Sequence, residues 1–426
     1  MHTSAPSAHK NVRWWICFFL FLTWLVSYID RSLMPMALPF IGQEFHLSPT
    51  VMGAVISAFF VGYATMQIPG GMLADRIGPR NSITLGIAFW SGFSLLTGLA
   101  GNLASLLAVR VGFGLAEGLH PAAAFKALSA WFPAHERSRA NGLVMSSNAL
   151  GPMIAPVLFA SLMASFGWRI AFYIVSVPGF LVALGAYWLL RDRPAQHPRV
   201  TPEELAEIGN DEESQPKPPL RELLKYPLLW RLFAIYMLWD ITWWGFQAWL
   251  PSYLFKVRGF SLAHTGLVTA LPYAAGFVGV TLAGWIADRT RKREAVLAVV
   301  LVGIATFMVL TATAPTAVTA VIFLTAAGFF LPAVHGPFWS LLMEMLPSRV
   351  MGYSSGFINT GGQIAGILAP IVIGALIQWT THYYAGFIFM AISATISALL
   401  VATLPRTASA PRRLPRLRGH TRAGNS

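Results

Sequence analysis

Long apolar stretches, separated by short polar links, dominate the chain. A window of about 20 apolar residues is long enough to cross a hydrocarbon core of roughly 30 Å as a helix. We predict twelve such spans, at 14–40, 50–72, 81–100, 104–128, 140–163, 170–190, 229–252, 263–285, 295–313, 316–344, 353–378 and 383–404. Most links carry residues that start or stop helices, such as Ser48, Pro49, Gly78, Pro79 and Ser261. The pattern predicts an all-α polytopic membrane protein.

One polar segment, 191–228, is much longer than the other links and is rich in charge. It contains an acidic cluster at Glu203, Glu204 and Glu207, and we expect a short helix near 203–209. We interpret 191–228 as a solvated linker between two six-helix halves. The predicted domains are a terminus (1–13), a first bundle (14–190), the linker, a second bundle (229–404) and an Arg-rich tail (405–426).

Composition excludes several classes of protein. Of 426 residues, 55% are hydrophobic and 11% are charged, whereas soluble domains average about 25% charged residues. A soluble enzyme, a nucleic-acid-binding module and a disordered protein are therefore not expected. Cys17 is the single cysteine, which precludes an intrachain disulfide and a Cys-based metal site. Because the sequence also lacks ATP-binding and hydrolase motifs, we expect no enzyme activity, cofactor or metal.

Basic residues are distributed very unevenly between the two sides of the predicted bundle. The side with both termini and the linker receives 25 of the 30 Lys and Arg residues, whereas the opposite side receives only Arg169, Lys256 and Arg258. This asymmetry predicts cytoplasmic termini. The net charge of +13 is therefore interpreted as a signal for topology and lipid contact, not for nucleic acid.

The two predicted halves resemble each other in sequence. Four residues of the first half recur 213 positions later: Gly71, Asp75, Arg76 and Arg80 return as Gly284, Asp288, Arg289 and Arg293. Three more recur 214 positions later: Pro133, Gly142 and Pro156 return as Pro347, Gly356 and Pro370. Two blocks at nearly one offset indicate an internal duplication. Parallel repeats with a site at their interface are typical of secondary transporters.

Several motifs resemble those of the major facilitator superfamily. The loop between the second and third spans carries Gly71, Asp75, Arg76, Gly78 and Arg80, and the fourth span carries Arg110, Gly114 and Glu117. Within that superfamily, four further motifs resemble the anion:cation symporters, in particular the D-galactonate/proton symporters: 28–31, 67–71, 131–137 and 167–169. This resemblance implies the twelve-helix major facilitator fold and transport by alternating access.

Five ionisable side chains fall inside predicted spans: Asp30, Arg31, Arg110, Glu117 and Asp240. Each costs at least ~2.5 kcal/mol on insertion scales, so such residues are functional candidates. One interpretation is a structural ion pair that joins the first and fourth spans. The other is a proton relay beside an anion site.

The relay has a physical basis. Burial favours the neutral form of a carboxyl, whereas a neighbouring arginine favours the carboxylate. A substrate anion that competes for the guanidinium groups would promote protonation of the protein's carboxyls, and this linkage is reciprocal. Resemblance to the family assigns the coupling to Asp30 and Glu117. Arg110, two helical turns before Glu117, is expected to tune it.

Arg31 is our candidate for binding a substrate carboxylate, because its planar guanidinium can pair with both oxygens. Resemblance to the D-galactonate symporters adds five residues to the substrate wall: Tyr28, Tyr63, Asn148, Trp339 and Asn359. Asn148 stands where those symporters have a longer glutamine. Plain packing is the alternative role for each of the five.

The seventh span places Tyr236, Asp240, Trp243, Trp244 and Gln247 on roughly one helical face. Asp240 has no counterpart in the family pattern. We predict that this face lines the cavity, with Asp240 facing Asp30 and Glu117 and binding a substrate hydroxyl or amine. The alternative is a third proton carrier.

Charged residues in two predicted loops form the candidate gate: Asp75, Arg76, Arg80, Asp288, Arg289 and Arg293. Solvated topology charge is the alternative role. In the family, these charges pair with helix ends when the protein is closed on the cytoplasmic side.

Taken together, these features predict a proton-coupled importer of a small organic anion, such as a sugar acid or another carboxylate. We expect a monomer in a bacterial inner membrane, with the proton as coupling ion. The alternatives are a proton-driven efflux antiporter and a membrane sensor that binds ligand without transporting it.

Overall fold

The structure is a computed structural model that describes residues 11–209, 224–346 and 350–404. The described chain is built from helices joined by short turns. In chain order the helices are α1 (Val12–Glu44), α2 (Pro49–Leu99), α3 (Leu103–Gly118), α4 (His120–Trp131), α5 (Ala134–Met145), α6 (Ser147–Leu189), α7 (Pro202–Ile208), α8 (Pro227–Lys256), α9 (Leu262–Thr290), α10 (Arg293–Ala312), α11 (Ala317–Phe330), α12 (His335–Met345), α13 (Met351–Thr380) and α14 (Tyr384–Ala402). The predicted Arg-rich tail, 405–426, and linker residues 210–223 lie outside the described residues.

Nine helical stretches of the described chain are long and apolar enough to cross a membrane. Two of them contain α2 and α6, which each hold two predicted spans divided by one non-helical glycine: Gly78 at φ +84° and Gly167 at φ +77°. The 30-residue helix α8 occupies the place of the seventh predicted span. The predicted all-α polytopic fold is confirmed. Twelve crossings result when each of these two stretches is counted as two spans and α8 is added to the nine stretches.

Gly78 illustrates why the chain needs glycine at such a break. A positive φ is strained for residues with a Cβ atom. The space that a Cβ would fill at Gly78 is also occupied by the carboxylate of Asp192. That carboxylate accepts a hydrogen bond from the backbone N–H of Arg80 at 2.9 Å. The break between the second and third spans is thus fixed by contact with the start of the predicted linker.

The fourth and tenth predicted spans are both interrupted, where the sequence predicted continuous helices over 104–128 and 316–344. The first break separates α3 from α4 at Leu119, and the second is the 3-10 turn Pro332–Val334 between α11 and α12. Pro121 and Pro332 lie at these breaks and lack the backbone N–H that a continuous helix would use. Each break is followed by a histidine at the start of the next helix, His120 and His335.

Contacts between the two halves cluster on the side opposite the termini. Thr50 of α2 hydrogen-bonds the Gln378 side chain of α13 at 2.6 Å, and Phe40 of α1 packs on Phe255 of α8 with ring centroids 4.9 Å apart. Glycines allow backbones to meet there. A Cβ on Gly266 of α9 would lie 2.6 Å from the carbonyl oxygen of Pro156 in α6. This side of the bundle is closed by direct packing.

Three glycines on the termini side have no other helix of the described chain packed against them. Cβ atoms built on Gly142 of α5 and on Gly352 and Gly356 of α13 would meet no other atom within 4 Å. Contacts between the two halves in the described chain therefore lie toward the side opposite the termini.

The acidic part of the linker is docked on the first half. Glu204 of α7 is buried and accepts hydrogen bonds from the backbone N–H groups of Val12 and Arg13, at 3.3 and 3.0 Å. The Arg13 guanidinium, whose side chain is only 4% exposed, pairs with Glu207 at 2.8 Å and with Glu136 of α5 at 3.0 Å. These contacts satisfy free N–H groups at the start of α1.

Further contacts hold the linker down. The ring of His197 packs edge-on against Trp131 with centroids 5.7 Å apart, and Ile208 is buried. The expected short helix near 203–209 is confirmed as α7. The segment 192–208 is exposed at most positions, as expected, but it is also held against the first half, because Asp192, Arg13 and Trp131 provide contacts that the linear sequence did not reveal.

Candidate functional site

Arg31 and Glu117 form the centre of the site. The Arg31 Nε–H donates to Oε1 of Glu117 at 2.8 Å, which joins α1 to α3. Both side chains are buried, with 11% and 1% exposure. The Ser27 hydroxyl also donates to Oε1 of Glu117. The pair is incomplete, because Nη2 of Arg31 and Oε2 of Glu117 are buried without a hydrogen-bond partner among the described residues.

Aromatic rings surround the Arg31 guanidinium. Its carbon lies 4.6 Å from the ring centroid of Tyr63, 5.2 Å from that of Phe59 and 5.4 Å from that of Tyr28. A guanidinium over ring faces is stabilised by cation–π attraction while its N–H edges stay available. Tyr28 and Tyr63, two of the predicted wall residues, are therefore placed beside Arg31. Phe59 was not predicted, because phenylalanine is abundant in membrane helices and nothing else in the sequence distinguishes this one.

Asp30 and Arg110 lie in the same region but are not joined by a hydrogen bond. Both are buried, at 2% and 3% exposure. The two Asp30 oxygens and Nε of Arg110 have no hydrogen-bond partner in the described chain. Arg110 instead lies over the rings of Phe113, at 4.9 Å, and Phe59, at 5.5 Å. Its charge still acts on both Asp30 and Glu117.

A histidine that the sequence left unassigned completes this layer. His120 is buried, and its Nε2 lies 2.9 Å from Oγ1 of Thr23. Its ring meets Trp24 and Trp90 edge-on, at 4.8 and 5.4 Å. Trp90 in turn neighbours Asp30, although its indole N–H falls outside hydrogen-bond geometry. Asp30 therefore faces the interior of the first half, whereas Arg31 faces the tyrosines.

The sequence contains a signal for this histidine layer that is visible in retrospect. Trp24 and His120 have counterparts 215 positions later in Trp239 and His335. Those two rings also meet edge-on, with centroids 4.7 Å apart. The duplication thus extends to a buried tryptophan–histidine pair in each half.

The second half contributes an aromatic wall. Trp339 of α12 packs edge-on against Tyr236 of α8 at 5.5 Å, and Phe338 lies 5.0 Å from Tyr236. Tyr236 is also within electrostatic range of Tyr28 of the first half. The structure therefore brings the predicted residue Trp339 to a wall that faces the Tyr28 side of the site.

Asp240 is buried at 5% exposure and lies one turn from Tyr236. A Cβ added to Gly362 of α13 would collide with its carboxylate, so α13 passes directly beside it. Asp240 makes no ion pair within the described residues, as expected from the absence of basic neighbours on its own helix. No contact with Asp30 or Glu117 joins it to the first half.

The predicted common face of the seventh span is not a single surface. Trp243 turns toward His335 inside the second half, at 6.2 Å, and Trp244 packs on Phe60 of α2 at 4.7 Å. Gln247 lines a small gap between the halves together with Ser32. Trp244 and Gln247 therefore meet the first half, whereas Trp243 does not. That this face lines a substrate cavity stays a prediction.

Asn148 lies near the start of α6 and Asn359 lies in the first third of α13. Asn148 is one turn before Gly151, where α6 approaches α1 so closely that a Cβ would lie 3.2 Å from the Ile29 nitrogen. Asn359 is one turn before Gly362. Both side chains are half-buried. Neither amide forms a hydrogen bond within the described chain, so both remain available to a ligand.

In the first loop, the charged residues of the candidate gate form contacts only with residues of their own half within the described chain. Asp75 pairs with Lys126 of α4 at 2.7 Å. Arg80 donates from Nε to the carbonyl oxygen of Tyr187 at 2.8 Å and lies over that ring. Arg76 is exposed.

The charges of the second loop also pair within their own half, but there a loop arginine meets a helix glutamate. Arg293 pairs with Glu344 of α12 at 2.6 Å and more loosely with Asp288 at 3.8 Å. Arg289 lies over the ring of Trp285 at 5.7 Å. No ion pair crosses between the two loops in the described residues.

Chemically, the site combines a buried cation with carboxyl groups, which are the groups that can hold or release a proton. Arg31 offers unpaired N–H groups, and Asp30 and Glu117 offer two carboxyls that differ in their partners. Among the described residues, no group of three or more His, Cys, Asp or Glu side chains could hold a metal ion. The arrangement contains parts for binding and charge coupling and no recognisable catalytic constellation.

Sequence comparisons place these features in context. The sequence profile of the Major Facilitator Superfamily matches residues 20–370. The chain is 35% identical to a probable sulfoacetate transporter of Cupriavidus necator, over 85% of this chain and 86% of that one. It is 31% identical to a probable galactarate/D-glucarate transporter of Bacillus subtilis, over 93% of each chain. A hexuronate transporter of Bacillus subtilis is 28% identical over 92% of this chain and 94% of its own.

Solved structures show the same fold. A bacterial homologue of the human lysosomal transporter Spinster, in an inward-facing conformation, superimposes with a TM-score of 0.74 over 92% of this chain and 95% of that one, at 19% identity. A D-xylose–proton symporter superimposes with the same TM-score over 92% and 98%, at 17% identity. The matched sequence relatives are named as transporters and not as enzymes. By its sequence profile, its relatives and its fold, the chain belongs to the Major Facilitator Superfamily.

Proposed function

We propose that the protein imports a small organic anion together with protons. The observation that carries this proposal is the incomplete Arg31–Glu117 pair. An incoming anion can accept hydrogen bonds from the N–H groups of Arg31. It then competes with Glu117 for the same cation. Glu117 then loses its strongest partner in a buried site, where an unpaired carboxylate is costly and protonation is favoured.

Asp30 supplies the second protonatable group. It has no hydrogen-bond partner among the described residues and shares the electrostatic influence of Arg110 with Glu117. A change in the charge of Glu117 is therefore felt by Asp30. Coupling between anion binding and protonation is reciprocal, so a proton gradient can drive accumulation of the anion.

Relatives and side chains together indicate the class of substrate. The sequence relatives are named for sulfoacetate, hexuronate and galactarate or D-glucarate, which are all small organic anions. The chemistry beside Arg31 suits a carboxylate or sulfonate headgroup. The free amides of Asn148 and Asn359 suit hydroxyl groups farther along the molecule. A short hydroxylated acid or sulfonate is the substrate class that this site fits best.

Packing of the two halves against each other on the side opposite the termini corresponds to the inward-facing stage of alternating access if the termini are cytoplasmic. The excess of basic residues on that side supports cytoplasmic termini. We place the protein in the inner membrane of a bacterium, with import as the direction of net flux.

Uptake into proteoliposomes tests this function. The panel should contain sulfoacetate, galactarate, D-galactonate and a hexuronate, each with and without an inward proton gradient. We expect accumulation of at least one of them that a protonophore abolishes. Accumulation when the gradient is reversed would instead indicate antiport, and specific binding without flux would indicate a sensor. Protein-free liposomes provide the control.

A further inference from the structure

An apolar groove lies on the second half, away from the candidate substrate site. It has a volume of about 290 Å³ and runs between α9, α10 and α11. Its lining is almost entirely aliphatic or aromatic and includes Leu282, Ile286, Ala295, Val299 and Phe330. Such a surface offers no hydrogen bonds to a polar substrate.

The groove has a closed floor and an open flank. A Cβ on Gly279 would collide with the Phe329 carbonyl oxygen, so α9 and α11 cross in direct contact and close the inner end. Leu282 and Val299 are 42% and 66% exposed, which shows that the flank is open along the outer surface of the bundle. An apolar chain could therefore enter sideways from the bilayer.

The outer end of the groove reaches a run of basic residues. Thr290 and Lys292 line this end, which lies on the side of the termini, and 289–293 contains four Arg or Lys residues. Arg289 is engaged with Trp285, and Arg293 is paired with Glu344. Arg291 and Lys292 are exposed and make no ion pair within the described chain. Two available cations thus sit at the mouth of an apolar groove.

The equivalent loop of the first half lacks this combination. There, Gly78 and Pro79 take the places of Arg291 and Lys292. Arg80 is occupied by the carbonyl oxygen and ring of Tyr187. The two halves share an ancestral repeat but differ at this point, so the cationic groove is a property of the second half alone.

We propose that this groove binds an anionic phospholipid from the membrane leaflet on the side of the termini. One acyl chain lies between α9, α10 and α11, and the phosphate contacts Arg291 and Lys292. Basic pockets between membrane helices on this side are suited to anionic headgroups. A volume of about 290 Å³ is small for a whole drug-sized ligand, but it suits part of one acyl chain. The site does not depend on which substrate is transported.

Thermal stability of the purified full-length protein in detergent tests the proposal. The probes are phosphatidylglycerol and phosphatidylethanolamine with identical acyl chains. We expect phosphatidylglycerol to stabilise the protein at roughly 10- to 30-fold lower concentration, because two basic side chains meet its net negative headgroup. Stabilisation by the two lipids at equal concentrations would overturn the proposal.

Three variants locate the effect. The double variant R291Q/K292Q should abolish the preference for phosphatidylglycerol. Ala295→Trp, at an exposed position of the lining, should fill the groove and abolish stabilisation by both lipids. R193Q/R199Q removes the same charge from exposed linker positions and should keep the full preference. A preference that survives R291Q/K292Q, or that is lost equally in R193Q/R199Q, would show that general surface charge and not the groove binds the lipid.

Discussion

Arg31 binds Glu117 through a single N–H, from Nε to Oε1 at 2.8 Å, while Nη2 of the arginine and Oε2 of the carboxyl remain unpaired within the described site. A static salt bridge would be expected to use the two-pronged geometry that arginine allows. The one-pronged contact leaves donors for another anion. Arg31 can therefore hold Glu117 and still recognise substrate.

Replacing Arg31 by lysine should weaken anion binding although the charge is kept. A lysine ammonium cannot reproduce the planar fork or the stacking on Tyr28, Phe59 and Tyr63. We expect at least a tenfold loss, which corresponds to about 1.4 kcal/mol. Isothermal titration calorimetry with the transported anion measures it. Arg258→Lys, where the arginine bonds the Ala314 carbonyl oxygen far from the site, is the matched control. Wild-type affinity of Arg31→Lys would exclude direct recognition by Arg31.

Replacing Asp240 by asparagine should change substrate preference and leave proton coupling intact. Asp240 lies beside Gly362 and Tyr236 without a cation, so burial favours its neutral form, which can donate to a substrate hydroxyl. The measurement is the proton-to-substrate ratio together with relative uptake across the panel. A lower ratio with unchanged preference would make Asp240 a third proton carrier.

Replacing Arg13 by glutamine should loosen the linker. The change removes the guanidinium that Glu136 and Glu207 share, while the backbone N–H of residue 13 can still donate to Glu204. We expect a loss of about 1.5–3 kcal/mol in the free energy of unfolding, the range for hydrogen bonds to charged groups. Limited proteolysis within 191–209 and the melting temperature report it. Arg199→Gln removes an exposed charge from the same segment and should behave as wild type. Equal protease sensitivity of both variants would contradict the docking role.

Acidification should weaken the same docking. Burial, with help from Arg191 and Arg199, lowers the pKa of His197 below its usual value. A histidine whose pKa is lowered on folding stabilises the native state at higher pH, and this contribution is lost as pH falls toward the depressed pKa. Between about pH 7.5 and 5.5, around the ordinary histidine pKa, the melting temperature should fall more in wild type than in His197→Gln. His46→Gln, on the opposite side, should keep the wild-type slope. Parallel slopes for wild type and His197→Gln would rule out this contribution.

Much of the fold could be predicted from the sequence, because a membrane-spanning helix requires a run of about 20 apolar residues that is easily recognised. The duplication and the loop motifs then identified the superfamily. The breaks at Leu119 and at Pro332–Val334 were missed, since the apolar pattern continues across them. Docking of the linker was also missed, because the partners Glu204 and Arg13 are 191 residues apart.

The site was predictable where burial of charge is unusual in itself. Arg31, Glu117, Asp30 and Arg110 stood out for that reason and lie in one region. Phe59 and Ser27 could not be found, because such residues are abundant in membrane helices. Of the face assigned to the seventh span, Trp244 and Gln247 meet the first half, whereas Trp243 turns toward His335 within the second half. A central helix contacts neighbours all round, so helical periodicity does not show which neighbour a residue meets.

Proton-driven accumulation by Asp30→Asn and Glu117→Gln tests the central claim most directly. Each variant should lose accumulation under an inward proton gradient while it still exchanges labelled for unlabelled anion across the membrane, because exchange needs no net proton movement. Glu44→Gln, which alters a carboxylate paired with Arg169 on the opposite side, is the control and should accumulate substrate as wild type does. Undiminished, gradient-dependent accumulation by both Asp30→Asn and Glu117→Gln would contradict the proposed coupling of anion binding to these two carboxyls.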